Sequence, residues 1–493
     1  MSILDPDNFK HHVDYFNTME PETVVNLIPN SQSWDWMNEN IPLFSCPDPA
    51  MEQMYYFRWW TYRKHIKQTP AGIIVTEFLT PVSHAGSFNS ISCALGHHIA
   101  EGRWIRDPRY LDEYVRFWFR ADGGKPEPKF HNYSSWITAA VYDRFLVTGD
   151  HHQMLDLFDD LIADYLRWEK EKLLPNGLFW QFDVRDGMEE SISGSRTDKN
   201  ARPTINSYMF ANAAATAAIA RHIGRADVET TYLGKAARLK SLVLEKLWDP
   251  SAPFFKAQTG ANGLCDAREE IGFIPWYFRL PGAGYEAAWA QLIDPEGFWA
   301  PFGITTAERR HPKFRSHGVG DCEWDGAVWP FATSQTLTAL ANVLRHYPDP
   351  PVGKQHYFDA MNTYVKSQHW GDKPYIGEYL DETDGRWLKG DNPRSRYYNH
   401  STFCDLVIAG LVGLVPRGDE KIEINPLLPA DAWDWFCLQD VPYHATLLTI
   451  LWDRDGSKFN RQAGLTVFLN GKSVGHAQDL RPIITQDVLR PLS

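Results

Sequence analysis

From residue 51 to about 415, apolar side chains recur at helical spacing in about twelve stretches, and this pattern constrains the fold more than any other feature. The stretches fall near 51–67, 87–103, 107–120, 132–148, 151–174, 203–223, 227–247, 268–279, 283–292, 328–346, 353–368 and 400–414. The links at 147–150 and 222–227 are tight enough to reverse the chain, with Gly149 and Gly224 as C-caps. After 417 the pattern changes: KIEINP, WFCLQDV, HATLLTILW and GLTVFL are short β-rich runs split by Pro, Asp and Gly. No repeat of fixed period is present, which excludes a solenoid of near-identical units. About twelve helices in hairpin order predict a mainly α fold, an (α/α)6 toroid, with a small C-terminal antiparallel β unit. The expected division is an irregular N-terminal arm over 1–50, the helical domain over 51–416 and the β-rich unit over 417–493.

Composition narrows the class. Hydrophobic residues at 43% against 23% charged exclude a disordered chain, and the net charge of -13 argues against a nucleic-acid ligand. No apolar run approaches the ~18 residues of a membrane span. The start, MSILDPDNFKHH, lacks a basic segment followed by an apolar one, so a cytoplasmic location is expected. The six cysteines, at 46, 93, 265, 322, 404 and 437, are scattered with no CxxC and read as reduced thiols. His97-His98 and His151-His152 are adjacent pairs and cannot share a helix face, and HExxH, P-loop and complete GxGxxG motifs are missing. No metal and no cofactor are expected. Gly471-Lys472-Ser473-Val474-Gly475 matches a nucleophile elbow but lacks the strand-turn-helix context.

The long connections at 175–202, 249–267, 294–327 and 369–400 are rich in Trp and Gly, and loops of such length usually carry function. The first holds Trp180, Phe182, Asp183, Asp186, Glu189 and Glu190. A carboxyl set against aromatic rings loses hydration and favours its neutral form, as a general acid requires. The run Gly377–Gly390 opens with Glu378 between Gly and Tyr, and a carboxylate there can activate a water. Asp381, Glu382 and Asp384 in the same run read as an ordinary turn. In Asp321–Pro330, Glu323, Trp324, Asp325 and Trp329 alternate acidic with aromatic side chains. Trp faces stack on sugar rings and carboxylates accept from hydroxyls, although a core Trp pair fits too. The segment Thr80–Ser90 places His84 in a polar loop, and Arg202, Trp387, Lys389, Tyr398 and His400 complete the candidate binding set.

Three runs, GMEES, CEWDGAVWP and IGEYLDETDG with the following YYNHSTF, fall in the order of the catalytic blocks of glycoside hydrolase family 63 and the mannosylglycerate-hydrolase-like (α/α)6 glycosidases, which they resemble. Arg185–Glu189 resembles the family's E-S-G-x-D acid block, with Glu189 where Asp is usual, so the acid lies among Glu189, Glu190 and Asp186. Asp325–Pro330 resembles R-G-P-x-W-P. Ile376–Gly385 resembles the base block, which makes Glu378 the base. The resemblance implies an inverting, exo-acting hydrolase of an α-glucoside or α-mannoside that needs no cofactor and binds a carbohydrate. Rival readings are a β-linked, furanosidic or retaining glycosidase, a polysaccharide lyase built on Tyr398, His400 and Arg202, and a non-catalytic sugar-binding protein.

Overall fold

The computed structural model describes residues 2–260 and 263–489. Its helices follow the hydrophobic pattern, with ends set by local chemistry. Pro49–His65 starts on a proline, with the Asp48 carboxylate accepting from the Ala50 and Met51 amides. Pro203–His222 and Pro330–His346 also begin on proline, and Ile137–Thr148 ends at Gly149 in the left-handed conformation, φ 68°.

Six largely buried helical segments follow one another: Leu95–Gly102, Ile137–Thr148, Pro203–His222, Glu270–Tyr277, Pro330–His346 and the π-helical Leu406–Val412. Each packs on the next in that order. The last returns to the first through Glu101, whose carboxylate accepts from the backbone N–H groups of Phe403, Cys404 and Asp405 at 2.8–3.2 Å. Three orphan donors at a helix start are thereby satisfied by one buried side chain. Arg103 reinforces the closure with a 2.7 Å ion pair to Asp405. Helices Arg109–Arg120, Phe158–Lys172, Ala226–Lys246 and Lys354–Ser367 are amphipathic and bury one face only.

Three expectations need correction. The stretch 268–279 is a 3-10 turn, Glu270–Phe273, running into the short helix Ile274–Tyr277, and 283–292 is a 3-10 segment, Glu286–Gln291; Pro275 and the Pro281-Gly282 pair leave little room for longer helices. The arm over 1–50 is not irregular. It holds helices Lys10–Thr18 and Ser33–Asn40, and its strand Leu43–Ser45 joins the C-terminal sheet. That antiparallel sheet has the order 43–45, 435–443, 446–453, 464–469, 472–477. No helix among the described residues is long and apolar enough to cross a membrane.

The aromatic excess mostly fills this interior. Trp59, Trp60, Trp104, Trp118, Trp136, Trp168, Trp276 and Trp289 are fully buried. The six cysteines are free thiols.

Candidate active site

The connections that run into the N-termini of the buried helices meet around a cavity of about 320 Å3. Its wall takes Glu77, Phe78, His84 and Cys93 from the segment before Leu95–Gly102 and Glu189 and Arg196 from the segment before Pro203–His222. Cys322 and Trp329 come from the segment before Pro330–His346, and Glu378, Arg394 and Tyr398 from the segment before Leu406–Val412. The loop at 249–267 adds none of the lining. A larger cavity of about 480 Å3, where Ile137–Thr148 meets the hairpin Pro442–Ala445, holds none of the predicted site residues.

Glu189 and Glu378 share this cavity although they are far apart in sequence. Burial pushes the Glu189 carboxyl up to about 7; the Asp183 and Glu378 charges add to the rise, while its own backbone N–H and Arg196 oppose it. Glu378 is 4% exposed, and the Ser395 hydroxyl donates to its Oε2 at 2.9 Å. Gly187 sets the approach of the acidic loop. Its φ is 70°, and a Cβ there would lie 2.3 Å from Cys93 Sγ.

The other acid candidates are engaged elsewhere. Asp186 is fully buried and accepts from Arg202 Nε at 2.7 Å, Ser134 Oγ at 2.5 Å and the Thr204 hydroxyl. Arg202, read as a sugar ligand, is itself 0% exposed and spent on that pair. Glu190 has φ 70°; its carboxylate pairs with Arg315 and accepts from the Asp321 amide at 3.1 Å.

Several predicted binding residues turn out to be scaffolding. Glu323 is fully buried and accepts from the amides of Gly318, Val319 and Gly320 at 2.6–3.0 Å, so it shapes its own loop instead of meeting sugar hydroxyls. Asp325 pairs with Arg315 at 2.9 Å, and burial lifts it to about 6. Trp324 stacks on Trp329 at 4.3 Å, and Trp329 on Tyr379 at 4.6 Å; of these, Trp329 reaches the cavity. Trp180 lies 3.9 Å under Lys172 Nζ and edge-on to Phe182. Trp387 donates to the His369 carbonyl at 2.9 Å, and Lys389 donates to the Asp321 carbonyl. Asp183 accepts from the Val184 amide at 2.7 Å and acts on Glu189 through its charge. His400 meets the Glu378 carbonyl through Nε2 at 3.1 Å, and burial holds its imidazole well below the usual range. His84 is exposed at the mouth, edge-on to Phe78. Asp381 caps its turn through Thr383 and Asp384, as the ordinary-turn reading expects.

Sequence reasoning missed Glu77, Phe78, Cys93, Arg196, Cys322 and Arg394 as cavity lining. Glu77 carried a signal: it is a lone charge within the apolar run Gly72–Leu79. Among the described residues, His317, Asp381 and Glu382 bring ligand atoms within 4.8 Å of one another, as a cation would need. Asp381 there is already paired with His317 and lies 3.8 Å from Arg386.

A helix-rich body with a C-terminal antiparallel sheet is consistent with the fold of six-hairpin glycosidases. The chain belongs to the mannosylglycerate hydrolase MGH1-like glycoside hydrolase family, whose model matches residues 87–401. Residues 417–476 match the C-terminal domain of glycosyl hydrolase family 65. A solved structure named "Sialidase" is 52% identical with a TM-score of 0.97; the match covers 99% of this chain and 45% of that one, so the chain spans under half the length of that relative. A GH63 mannosylglycerate hydrolase from Thermus thermophilus, in complex with glucose, shares the fold at 12% identity and TM-score 0.53, over 72% of this chain and 99% of that one. A GH78 family rhamnosidase from a Bacillus species does so at 11% identity and TM-score 0.61, over 84% of this chain and 40% of that one.

Proposed function

We propose that the chain is an inverting, exo-acting glycosidase of an α-glucoside or α-mannoside, with Glu189 as general acid and Glu378 as general base. The observation that carries this is the pair itself: two carboxyls on one cavity, one desolvated until its proton is retained near pH 7. Glu189 protonates the leaving oxygen. Glu378 takes a proton from the water that attacks the opposite face of the sugar, which inverts the anomeric centre. The six buried helices are read as the inner ring of an (α/α)6 toroid with the cavity at its mouth, supported by their ordered contacts and the Glu101 closure. The division at 51 and 417 is part of the same reading; the second family match, which starts at 417, supports the latter boundary.

The test is a panel of aryl α- and β-glycosides with anomer-resolved NMR of the product. Inversion on an α-glycoside is expected; retention rules out the water-activating role of Glu378. Glu189→Gln and Glu378→Gln should each lower kcat by at least about 100-fold. A variant near wild-type activity removes that residue from its role.

A second reading of the substrate has its own support. Arg196 and Arg394 both line the cavity, and the 52% identical relative is named "Sialidase". A sugar bearing a carboxylate would pair with such cations. An aryl sialoside therefore belongs in the panel, and its exclusive turnover would replace the neutral-sugar reading.

A further inference from the structure

Glu77 is the third carboxyl of the cavity, and neither catalytic role uses it. It follows the hairpin of strands Ile66–Thr69 and Gly72–Val75, and its carbonyl accepts from the Asn399 amide at 2.9 Å, which fixes it beside Tyr398. The side chain is 4% exposed. The Tyr398 hydroxyl meets Oε1, and Oε2 is buried without a hydrogen-bond partner. Among the described residues it has no ion pair, although Arg196 and Arg394 line the same cavity. Glu378 and Glu189 face it across the cavity, and Cys93, Tyr114 and Tyr133 stand around it without a charge to offset its own. The one further polar group directed at it is the Ala94 amide. Burial, followed by those two carboxylates, drives its proton affinity up to about 8 against the opposing pull of Tyr398 and Ala94.

A neutral Glu77 changes what Tyr398 can do. Glu77 and Tyr398 then bring two O–H groups to one oxygen–oxygen contact, so only one proton is needed between them. If Glu77 supplies it, the phenol oxygen accepts, and the phenol proton is free to point into the cavity that Tyr398 also lines. Resting on the glycosidase reading above, we propose that Glu77 is a positioning residue that carries its proton in the working enzyme and donates it to Tyr398 Oη. The Tyr398 hydroxyl thereby serves as a fixed donor to a hydroxyl of the bound sugar.

One test needs no substrate. Difference infrared spectra of the wild type minus Glu77→Gln should show the stretch of a neutral carboxyl at pH 6.5, lost with a midpoint near 8. Absence of that band at pH 6.5 overturns the proposal. Kinetics on the aryl glycoside turned over in the panel give the second test. Glu77→Gln keeps a donor for Tyr398 and should stay within about threefold of wild type, whereas Glu77→Ala should raise KM about tenfold. Tyr398→Phe should match Glu77→Ala, and the double variant should be no worse than either single one, as coupled residues require. Equal damage from Gln and Ala, or additive losses with Phe, would point to a packing role and defeat the proposal. Activity surviving in Glu189→Gln or Glu378→Gln would instead sink the parent reading, and the infrared band would be unaffected by that outcome.

Discussion

Replacing Asp186 with Asn should cost stability and spare the chemistry. The Asp186 carboxylate takes Arg202 Nε at 2.7 Å, Ser134 Oγ at 2.5 Å and the Thr204 hydroxyl, with both ionic side chains 0% exposed. Asn keeps the volume and one acceptor oxygen, but its NH2 group cannot accept from any of these donors. Beyond that one neutral amide oxygen, Arg202 would retain its charge with only Ser191 Oγ and Ser193 Oγ, each at 3.2 Å, and the Met188 sulfur near it. Breaking a buried ion pair from one side costs about 3–5 kcal/mol. At about 2.1 cal/mol/K per residue, a chain of 493 residues has an unfolding entropy near 1 kcal/mol/K, so the melting temperature should fall by about 3–5 °C. Calorimetry at several scan rates is the assay, because a chain this large can unfold irreversibly. Turnover at 25 °C should stay within about tenfold of wild type, since the altered group is buried behind the acidic loop. Glu189→Gln should show the reverse pattern, an unchanged melt with lost turnover. If Asp186→Asn melts like the wild type yet loses about a thousandfold or more in kcat, as the loss of a general acid would, then Asp186 is the proton donor and the assignment of Glu189 fails.

Other outcomes follow from the same geometry. The acid must be protonated to work, so kcat/KM should fall as pH rises through about 7, where Glu189 gives up its proton; a rate profile still flat at pH 9 excludes that role. Glu323→Gln should speed hydrogen exchange at the Gly318–Gly320 amides and destabilise the chain by about 1–3 kcal/mol, while unchanged exchange would show that the loop holds its shape without the carboxylate. Glu77 has a folded proton affinity raised from 4.5 to about 8, so its contribution is fully present below 4.5 and is lost as pH climbs to about 8, at up to about 1.4 kcal/mol per unit. Glu77→Gln should therefore gain in melting temperature relative to wild type between pH 5 and pH 8, and a constant difference over that window would contradict a neutral buried carboxyl.

Helix positions were legible because the pattern of 3.6 is local, and proline marks the starts at Pro49, Pro203 and Pro330 where its missing N–H costs nothing. The 3-10 segments at Glu270–Phe273 and Glu286–Gln291 were not, since a short apolar run has the same spacing in either helix type. The strand Leu43–Ser45 was illegible for a different reason: three residues carry no period, and its partner lies at Cys437–Gln439. The two carboxyls now assigned to catalysis stood out as acids among aromatics. Glu77 was marked only as a lone charge in an apolar run, and its contact with Tyr398 is encoded by no local pattern.

The same limit explains the misread binding set. Asp186, Glu190, Glu323 and Asp325 all occur in segments that line or support the cavity, and residue type alone cannot rank them against Glu189 and Glu378. Their partners can. Each of the first four is held by an arginine or several backbone N–H groups. Among the described residues, Glu77, Glu189 and Glu378 form no ion pair of that kind, and the side-chain donors they have are hydroxyls, Tyr398 on Glu77 and Ser395 on Glu378. Arg202 and Arg315 occupy three of these supporting acids, Asp186, Glu190 and Asp325. That leaves the three carboxyls that line the cavity, and single substitutions can separate the role of each.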